Sequence, residues 1–264
     1  SNRSIHGEAF GWMVAERYEM TSQGEAAERL CDQWELGRED LDAFAAESHR
    51  RACAAASAGH FEKEIVPVPV MQVREKGAEG EAHLFSADET IRPGTAVEKL
   101  ATLNTSFRAD GRLTAGNSSQ ISDGAAGLLL MSSVKARSLG LKPRARILAM
   151  TTVGSDPTLM LTGPVAATRK VLAQAGLTLD DIDLFEINEA FASVPLVWMK
   201  ELGVSSERLN VNGGAIALGH PLGASGARIM TSMLHELERR GGRYALQAIC
   251  CAGGMGTATL IERL

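Results

Sequence analysis

The spacing of apolar residues predicts strands that alternate with helices over most of the chain. Three short continuous apolar runs, at 125–133, 145–150 and 244–250, are typical of strands buried on both faces. Between them, the stretches 163–176 and 226–242 repeat their apolar residues at helical spacing. Strands that alternate with helices in this way predict an α/β domain with a largely parallel sheet.

The first hundred residues are more polar and predict mostly helix and loop. Residues 39–59 form a helical pattern that ends at Gly59, a residue suited to a helix stop. Residues 64–73 alternate like a strand, but two prolines restrict that strand to a sheet edge. Residues 74–82 read as a solvated loop. The apolar stripe predicted for the helix consists of Leu41, Phe44, Ala45, His49, Ala52 and Ala56.

Charge and cysteine content narrow the class of protein. The formal net charge is −5, so no basic surface predicts binding to nucleic acid or to anionic lipid. No apolar run approaches the roughly 20 residues of a membrane span, and no signal peptide is recognised. The cysteines, at positions 31, 53, 250 and 251, are too few and too uneven for a disulfide framework, which favours a reducing cytoplasm. The start at Ser1-Asn2, without Met, is interpreted as a tag scar or a protease-made end.

The stretch "EINEAFA" places Asn188 where an apolar run ends and a helical stretch opens. Ligand contacts in open α/β sheets are common at this boundary. A second interpretation is that Asn188 caps the helix, and capping by Asn is common. Local reasoning favours the cap and leaves both interpretations open.

A glycine-rich block at 210–230 holds His220 between Gly219 and Pro221. Glycine lets the main chain approach a ligand closely, and proline restricts the direction in which the preceding residue leaves. A histidine there can donate from Nε2 to a carbonyl oxygen that gains charge. The alternative is a tight packing loop with a satisfied histidine, and that is the interpretation for the histidines at 6, 49, 60, 83 and 235.

The segment "ICCAGGMG" places Cys250 and Cys251 where an apolar strand meets a glycine turn. Backbone N–H groups of such a turn are expected to lower a thiol pKa below about 8.5. The alternative is a pair of small buried residues, and metal binding is disfavoured because no Cys-x-x-Cys occurs. Asn188, His220 and one of these cysteines could meet over one carbonyl, with two groups holding an oxyanion and one moving a proton. That arrangement suits carbanion or acyl chemistry at a thioester.

These residues resemble the thiolase family, the acetyl-CoA acetyltransferases and 3-ketoacyl-CoA thiolases. The resemblance covers nearly the whole chain and is carried by REDLDAFAAESHRRA, RPGTAVEKLATL, DGRLTAGNSSQISDGAAG, EINEAFA, NVNGGAIALGHPLGASGAR and CAGGMG. It implies a thiolase-like fold with a mixed, largely parallel sheet between helices.

The resemblance also implies roles for single residues. Asn188 would hold a water that, with His220, stabilises the thioester oxygen. Cys250 would shuttle protons, and Cys251 is the second choice because the motif can be aligned in two registers. Ser119 matches the serine that contacts the pantetheine arm of coenzyme A, and Gly253 of the turn is the other expected contact.

One family motif is absent from these residues. Thiolases have two similar halves, and the acyl-accepting cysteine lies in a Cys-x-Ser-Gly stretch of the first half, which does not occur here. Cys31 and Cys53 lie in helical patterns without the glycines of a nucleophile turn. We therefore expect an incomplete thiolase fold that is inactive alone. Its expected parts are a loop-domain remainder at 1–113, a strand and helix of the N-terminal half at 114–145, and the C-terminal domain at 146–264.

The function implied by the resemblance is thiolysis of 3-ketoacyl-CoA or condensation of two acetyl-CoA, with a mild preference for degradation. The alternatives are one half of a heteromeric thiolase and a non-catalytic module that binds coenzyme A. Coenzyme A thioesters are expected as substrates, with no permanently bound cofactor and no metal. The full-length parent is expected to be a homo-oligomer.

Overall fold

The computed structural model describes residues 11–73 and 79–264. Within them the first part of the chain is helical apart from one hairpin, and the last part alternates strand and helix. The elements are α1 Trp12–Arg17, α2 Gln23–Gln33, α3 Arg38–Ser57, β1 Val68–Val73, β2 Glu79–Phe85, α4 Val97–Ala101, α5 Ser133–Ser138, β3 Ala145–Gly154, α6 Gly163–Ala175, β4 Leu184–Ile187, α7 Ser193–Leu202, α8 Ala215–Leu218, α9 Ser225–Arg240, β5 Tyr244–Cys251 and β6 Met255–Arg263.

The main sheet has four strands in the order β3-β6-β5-β4. The sequence correctly predicts an α/β fold with a mixed sheet, but parallel pairing does not predominate in it. Strands β4 and β5 are parallel, whereas β6 is antiparallel to both β3 and β5. The reason is the short turn at 252–254 between β5 and β6, because so short a connection joins antiparallel strands only.

Helices cover both faces of this sheet, as the sequence predicts. On one face, Leu246 and Ala248 of β5 join a large core that includes residues of α2, α6 and α7. On the other face, Ala245 packs with Met233 and Leu237 of α9. The side chains of β5 therefore alternate between two cores, as the period of two in a strand requires.

Helix α3 has the predicted buried stripe, with one exception. Leu41, Ala45 and Ala52 are fully buried, and Gly59 beyond the helix has a φ of 72°. Ala56 is exposed, and its neighbour Ala55 is buried instead against Ala217 and Leu218 of α8. The buried stripe shifts by one residue at the C-terminal end of α3, and this end of the helix packs against α8.

Two predicted strands are corrected by the structure. Residues 125–133 form no strand up to Ser132, and the side chains of Leu129 and Leu130 are 80% and 66% exposed, because no described strand pairs with this segment. The run at 145–150 is a strand, but it is not buried on both faces. It belongs to β3 at the sheet edge, where the residues are only partly buried or exposed and Met150 is 65% exposed.

The strand predicted at 64–73 is present from Val68 onwards. It pairs antiparallel with β2 in a sheet of two strands, an edge position that accommodates Pro69. The loop predicted at 74–82 is wrong from Glu79 onwards, because β2 begins there. Residues 74–78 lie outside the described residues.

Helix α6 meets β6 with backbone against backbone at two glycines. A Cβ added to Gly163 would lie 2.7 Å from the backbone nitrogen of Gly256, and one added to Gly256 would lie 2.6 Å from the carbonyl oxygen of Gly163. Real Cβ atoms do not come this close to backbone, so the contact requires glycine on both sides. This contact holds the start of α6 against the strand that follows the cysteine turn.

Candidate functional site

Asn188 lies directly after β4 in a loop that precedes α7. Its backbone N–H donates to the carbonyl of Ala248 at 3.0 Å, while α7 begins five residues later at Ser193 with Ala192 as its cap. The helix-cap interpretation of Asn188 is therefore wrong, because the helix starts too far along the chain.

The side chain of Asn188 is 2% exposed, and neither Oδ1 nor Nδ2 has a hydrogen-bond partner among the described residues. A buried amide without partners costs roughly 1–3 kcal/mol for each missing hydrogen bond. Such a group in a native structure usually serves a water or a ligand. Asn188 thus offers the two N–H donors of Nδ2 and the acceptor Oδ1 to a molecule at this position.

His220 lies in the loop between α8 and α9, after Gly219, whose φ is 81°. Its Nδ1 is 2.6 Å from Oγ of Ser225, and that hydroxyl is 3.0 Å from the carbonyl oxygen of Pro221. Burial, followed by the charge of Arg228, lowers the pKa of His220 from its ordinary value. The imidazole is therefore neutral at neutral pH, with Nδ1 engaged.

Residues 117–120 connect the Asn188 loop to the His220 loop. The N–H of Ser119 donates to the carbonyl of Ala190 at 3.0 Å, and the N–H of His220 donates to the carbonyl of Gln120 at 2.8 Å. The segment is anchored by Asn117, whose Nδ2 donates to the fully buried Asp42 at 2.8 Å. This segment thus joins the loop that carries Asn188 to the loop that carries His220 through backbone hydrogen bonds. Ser119 itself is partly buried.

A cleft of about 410 Å³ opens beside His220. One wall is formed by residues 122–126, which continue from the segment that carries Ser119, and the other by residues 221–224. The cleft is open to solvent, and backbone-rich segments line both of its walls. It gives an extended molecule an approach to the His220 loop.

Cys250 and Cys251 have different surroundings. Cys250 packs against the same core as Leu246 and Ala248, so Cys251 lies on the opposite face of β5. Burial, then the adjacent Cys251, raises the pKa of Cys250 to about 12, and burial raises the pKa of Cys251. The expectation of a lowered thiol pKa is therefore wrong, because burial outweighs the backbone N–H groups of the turn. Both cysteines are thiols at neutral pH.

The turn after the cysteines is built on two glycines in the left-handed region. Gly253 and Gly254 have φ of 75° and 82°. The carbonyl of Gly254 accepts from the N–H of Ser155 at 2.6 Å and from its hydroxyl at 2.8 Å. The turn is therefore tied to the end of β3, while the predicted contact between Gly253 and coenzyme A stays a prediction.

The two remaining cysteines lie on helices α2 and α3. Cys31 is fully buried in α2, where its thiol donates to the carbonyl of Ala27 at 3.3 Å, and burial raises its pKa to about 12. Cys53 is partly buried on α3. Their surroundings fit the expectation that neither is a nucleophile.

Sequence reasoning missed three polar residues close in sequence to Asn188 and His220. Glu189 follows Asn188 and is buried among hydrogen-bond donors, Ser225 lies five residues after His220, and Glu186 is buried two residues before Asn188. Burial raises the pKa of Glu186 to about 8. Two of them, Glu186 and Glu189, could have been noticed in the sequence, because they are acidic residues on either side of Asn188 in an apolar stretch.

Residues 11–73 and 79–264 contain no candidate metal centre and no membrane-spanning helix. No group of three or more His, Cys, Asp or Glu side chains in these ranges is arranged to hold a metal ion. Every helix in the same ranges is too short or too polar to traverse a lipid bilayer.

Known proteins show clear similarity to this chain. Residues 3–134 match the family model for the thiolase N-terminal domain, and residues 141–263 match the model for the thiolase C-terminal domain. An acetyl-CoA acetyltransferase of Chromobacterium violaceum is 48% identical over 250 residues, which is 95% of this chain and 62% of that protein. A steroid 3-ketoacyl-CoA thiolase of Mycobacterium tuberculosis is 49% identical, over 92% of this chain and 57% of that protein.

Solved structures agree with these sequence matches. The acetyl-CoA acetyltransferase of Bacillus anthracis superposes with a TM-score of 0.88 at 42% identity, covering 100% of this chain and 66% of that one. The human mitochondrial 3-ketoacyl-CoA thiolase in complex with CoA gives a TM-score of 0.80 at 39% identity, over 91% and 58% of the two chains. This chain therefore spans about three fifths of the length of the relatives that it matches.

Proposed function

Because this chain belongs to the thiolase family, we propose that it serves acyl transfer on coenzyme A thioesters, by thiolysis of 3-ketoacyl-CoA or by condensation of two acetyl-CoA. The observation that carries the proposal is the buried side-chain amide of Asn188, unpaired and linked to His220 through residues 117–120. A buried donor of this kind suits a water that stabilises developing negative charge.

His220 supplies the direct contact to the thioester oxygen. A neutral imidazole that carries its proton on Nε2 donates to the oxygen as charge develops there, and a water held by Asn188 donates beside it. Removing one such donor from an oxyanion site typically costs 10²- to 10³-fold in kcat, about 2.7–4 kcal/mol. The depressed pKa of His220 keeps the imidazole neutral before the reaction, so the charge change occurs only as the oxyanion forms.

Cys250 transfers the proton to and from the α-carbon of acetyl-CoA. Burial keeps it a thiol with a pKa of about 12, and in thiolysis it gives its proton to the carbanion that leaves as acetyl-CoA. In the next half-reaction the thiolate takes a proton back from the attacking coenzyme A. Running the steps in reverse, the thiolate takes the α-proton of acetyl-CoA during condensation.

The acyl-accepting thiol comes from outside these 264 residues. Ping-pong acyl transfer needs a nucleophile besides the proton shuttle, and Cys31 and Cys53 are unsuited to the role by their helical surroundings. The chain alone is therefore expected to be inactive. The exposed Leu129 and Leu130 and the open edge of β3 fit a surface that a nucleophile-bearing part of the fold covers.

Binding of the substrate uses the cleft beside His220. The pantetheine arm of coenzyme A lies along the segment of Ser119, and the turn at Gly253 contacts its thioester end. The parent enzyme acts as a homo-oligomer in the cytoplasm, a reducing compartment that suits the free cysteines of the described residues.

One alternative function has an observation of its own. A non-catalytic module that binds coenzyme A would need no nucleophile, and none is recognisable here. Such a module has no chemical need for an unpaired Asn188 beside a neutral His220, and the catalytic role is therefore favoured. A heteromeric thiolase differs from the main proposal only in which polypeptide carries the nucleophile.

The test assays acetoacetyl-CoA thiolysis by the refolded chain, alone and with the missing nucleophile-bearing half added. We expect no turnover alone and recovered turnover in the mixture. In the active assembly, His220→Ala should lower kcat by about 10²- to 10³-fold. His235→Ala, which removes a partly buried imidazole from α9, should leave kcat unchanged. An acyl group trapped on Cys31 or Cys53 of the isolated chain would contradict the proposal, as would full activity of His220→Ala.

A further inference from the structure

Glu189 is a buried carboxylate surrounded by hydrogen-bond donors from three parts of the chain. It is 1% exposed. Its Oε2 accepts from Oγ of Ser48 on α3 at 2.7 Å and from the N–H of Ile216 on α8 at 3.1 Å. Its Oε1 accepts from Nδ2 of Asn210 at 2.8 Å. Burial raises the pKa of Glu189, whereas these three hydrogen bonds favour the carboxylate, whose oxygens only accept and so satisfy all three donors.

One of these donors, Asn210, also holds the chain on both sides of Asn188. Asn210 accepts from the N–H of Ile187 at 2.9 Å and donates to the carbonyl of Ile187 at 2.9 Å. Asn188 therefore lies between two neighbours, Ile187 and Glu189, that are both bonded to the side chain of Asn210. Its backbone has little freedom to move independently of the 210–216 segment.

Glu189 also holds the segment that leads into the His220 loop. It accepts from the N–H of Ile216, which lies in the short helix α8, four residues before His220. Ser48, its second partner, accepts from the N–H of Gly214 at 3.0 Å. Gly214 packs so closely that an added Cβ would lie 2.6 Å from Oε2 of Glu189. The carboxylate is thus pressed against the segment that leads into the His220 loop.

We infer that Glu189 is a positioning residue that sets the distance between the Asn188 amide and the His220 imidazole. The inference rests on the proposed function, since the distance matters for a shared oxyanion. Glu189 contacts neither the thioester nor the reacting atoms. It acts through the backbone of residue 188 on one side and through α8 on the other. A misplacement of about 1 Å between two groups that hold one oxygen can cost 10²-fold in rate.

Glu189→Gln tests the inference with minimal change of shape. An amide presents one acceptor and one donor, so one of the three N–H or O–H partners then faces an NH₂ group. The matched control is Glu28→Gln. Glu28 is also fully buried and accepts the N–H groups of Arg112 and Leu113 at 2.9 Å, but it bonds neither site loop. Both variants should lower Tm, because each leaves a buried donor unpaired.

Two readouts separate positioning from general destabilisation. In the active assembly, Glu189→Gln should lower kcat by about 10- to 100-fold with KM within about twofold, while Glu28→Gln keeps the wild-type kcat. In the chain alone, ¹⁵N NMR of the Asn188 side-chain amide and the His220 imidazole should shift for Glu189→Gln and not for Glu28→Gln. Should Glu189→Gln fail to fold, Ser48→Ala removes one of the three donors and should shift the same signals with a smaller loss of kcat.

The outcomes distinguish this inference from the proposed function. If the wild-type assembly is active and Glu189→Gln retains full kcat, or if Glu28→Gln loses as much, Glu189 is structural and the inference is wrong. If the wild-type assembly is inactive, the proposed function fails. The NMR signals of the chain alone then still decide whether Glu189 holds the two groups in place: coupled shifts support it and unchanged signals overturn it.

Discussion

Nδ1 of His220 lies 2.6 Å from the hydroxyl oxygen of Ser225, which lies 3.0 Å from the carbonyl oxygen of Pro221. A hydroxyl has one proton to give. When Ser225 gives that proton to Nδ1, the neutral imidazole carries its own proton on Nε2, which is the form that can donate to an oxyanion. The hydroxyl also has the carbonyl of Pro221 as an acceptor, and when it donates there its oxygen accepts from Nδ1–H and leaves Nε2 without a proton. Which of the two acceptors takes the Ser225 proton therefore decides the tautomer of His220, whose pKa is lowered by burial.

Ser225→Ala should lower kcat about tenfold in the active assembly, because Nδ1 loses its partner and the tautomers mix. Ser232→Ala on the same helix is the control, since its hydroxyl donates to Glu64 at 2.8 Å and not to the site. Steady-state kinetics with both variants checks the expectation. Equal rates for Ser225→Ala and the wild type would show that the hydroxyl does not select the tautomer.

Asn188→Ala should abolish most activity without lowering the free energy of unfolding. Its side chain has no hydrogen bond to lose among the described residues. Asn117→Ala is the structural counterpart. That buried side chain donates to Asp42 and to the carbonyl of Arg112 and accepts from the N–H of Thr114, so its loss should cost about 1–3 kcal/mol. Urea denaturation of both variants provides the measurement, and a strongly destabilised Asn188→Ala would mean that the amide is structural.

Cys250→Ser and Cys251→Ser should separate the two alignments of the cysteine motif. The two side chains lie on opposite faces of β5, so one substitution should disable proton transfer and the other should not. We expect Cys250→Ser to be the disabled variant. Thiolysis assays of both variants in the active assembly check this, and the reverse pattern would assign the proton shuttle to Cys251.

Glu186→Gln should stabilise the chain at pH 8 and have little effect at pH 5. Burial raises the pKa of Glu186 to about 8 from 4.5, so the folded chain binds a proton more tightly than the unfolded chain does. The stability that this carboxyl contributes is complete below pH 4.5 and is lost as the pH rises through 8. The gain at pH 8 should be roughly 4 kcal/mol, because each unit between 4.5 and 8 is worth about 1.4 kcal/mol and the folded carboxyl is half ionised at pH 8.

Glu47→Gln is the control for the pH dependence of stability expected of Glu186→Gln. Hydrogen bonds from Arg50 and Arg51 lower the pKa of Glu47 to about 2 despite partial burial, so its contribution is present throughout pH 5 to 8. Glu47→Gln should therefore lower stability equally at both pH values. Urea denaturation at pH 5 and pH 8 measures both variants, and a Glu186→Gln effect that is independent of pH would contradict the raised pKa.

The sequence predicts the elements well where apolar spacing is strong and the partner lies nearby. Helix α9 begins and ends close to the predicted bounds, with Ile229, Met233 and Leu237 buried as a stripe. The run at 125–133 is as apolar as β5, yet it forms no strand among the described residues. An apolar composition indicates that a segment tends to be buried. To form a strand, the segment also needs a neighbouring strand with which its backbone can pair, and the local sequence pattern does not reveal that partner.

The candidate site was predictable residue by residue but not as an arrangement. Asn188 and His220 were recognisable from their motifs, whereas the hydrogen bonds through Ser119 and Gln120 that join them depend on three distant segments. The sequence predicts a lowered thiol pKa for Cys250 because it reveals the glycine turn but not the core that buries the thiol. The sequence does not reveal the role of Glu189, because its hydrogen-bond donors come from the distant positions 48, 210 and 216.

The contact between Gly163 and Gly256 constrains how this protein can change. Most tight contacts between two side chains can drift in evolution, because a larger residue on one side is accommodated by a smaller one opposite. Here each glycine meets the backbone of the other, so neither position has a smaller residue to retreat to. Each position therefore requires glycine whatever residue stands at the other. A library that randomises α6 or β6 to alter the cysteine turn gains nothing by varying the two positions as a pair.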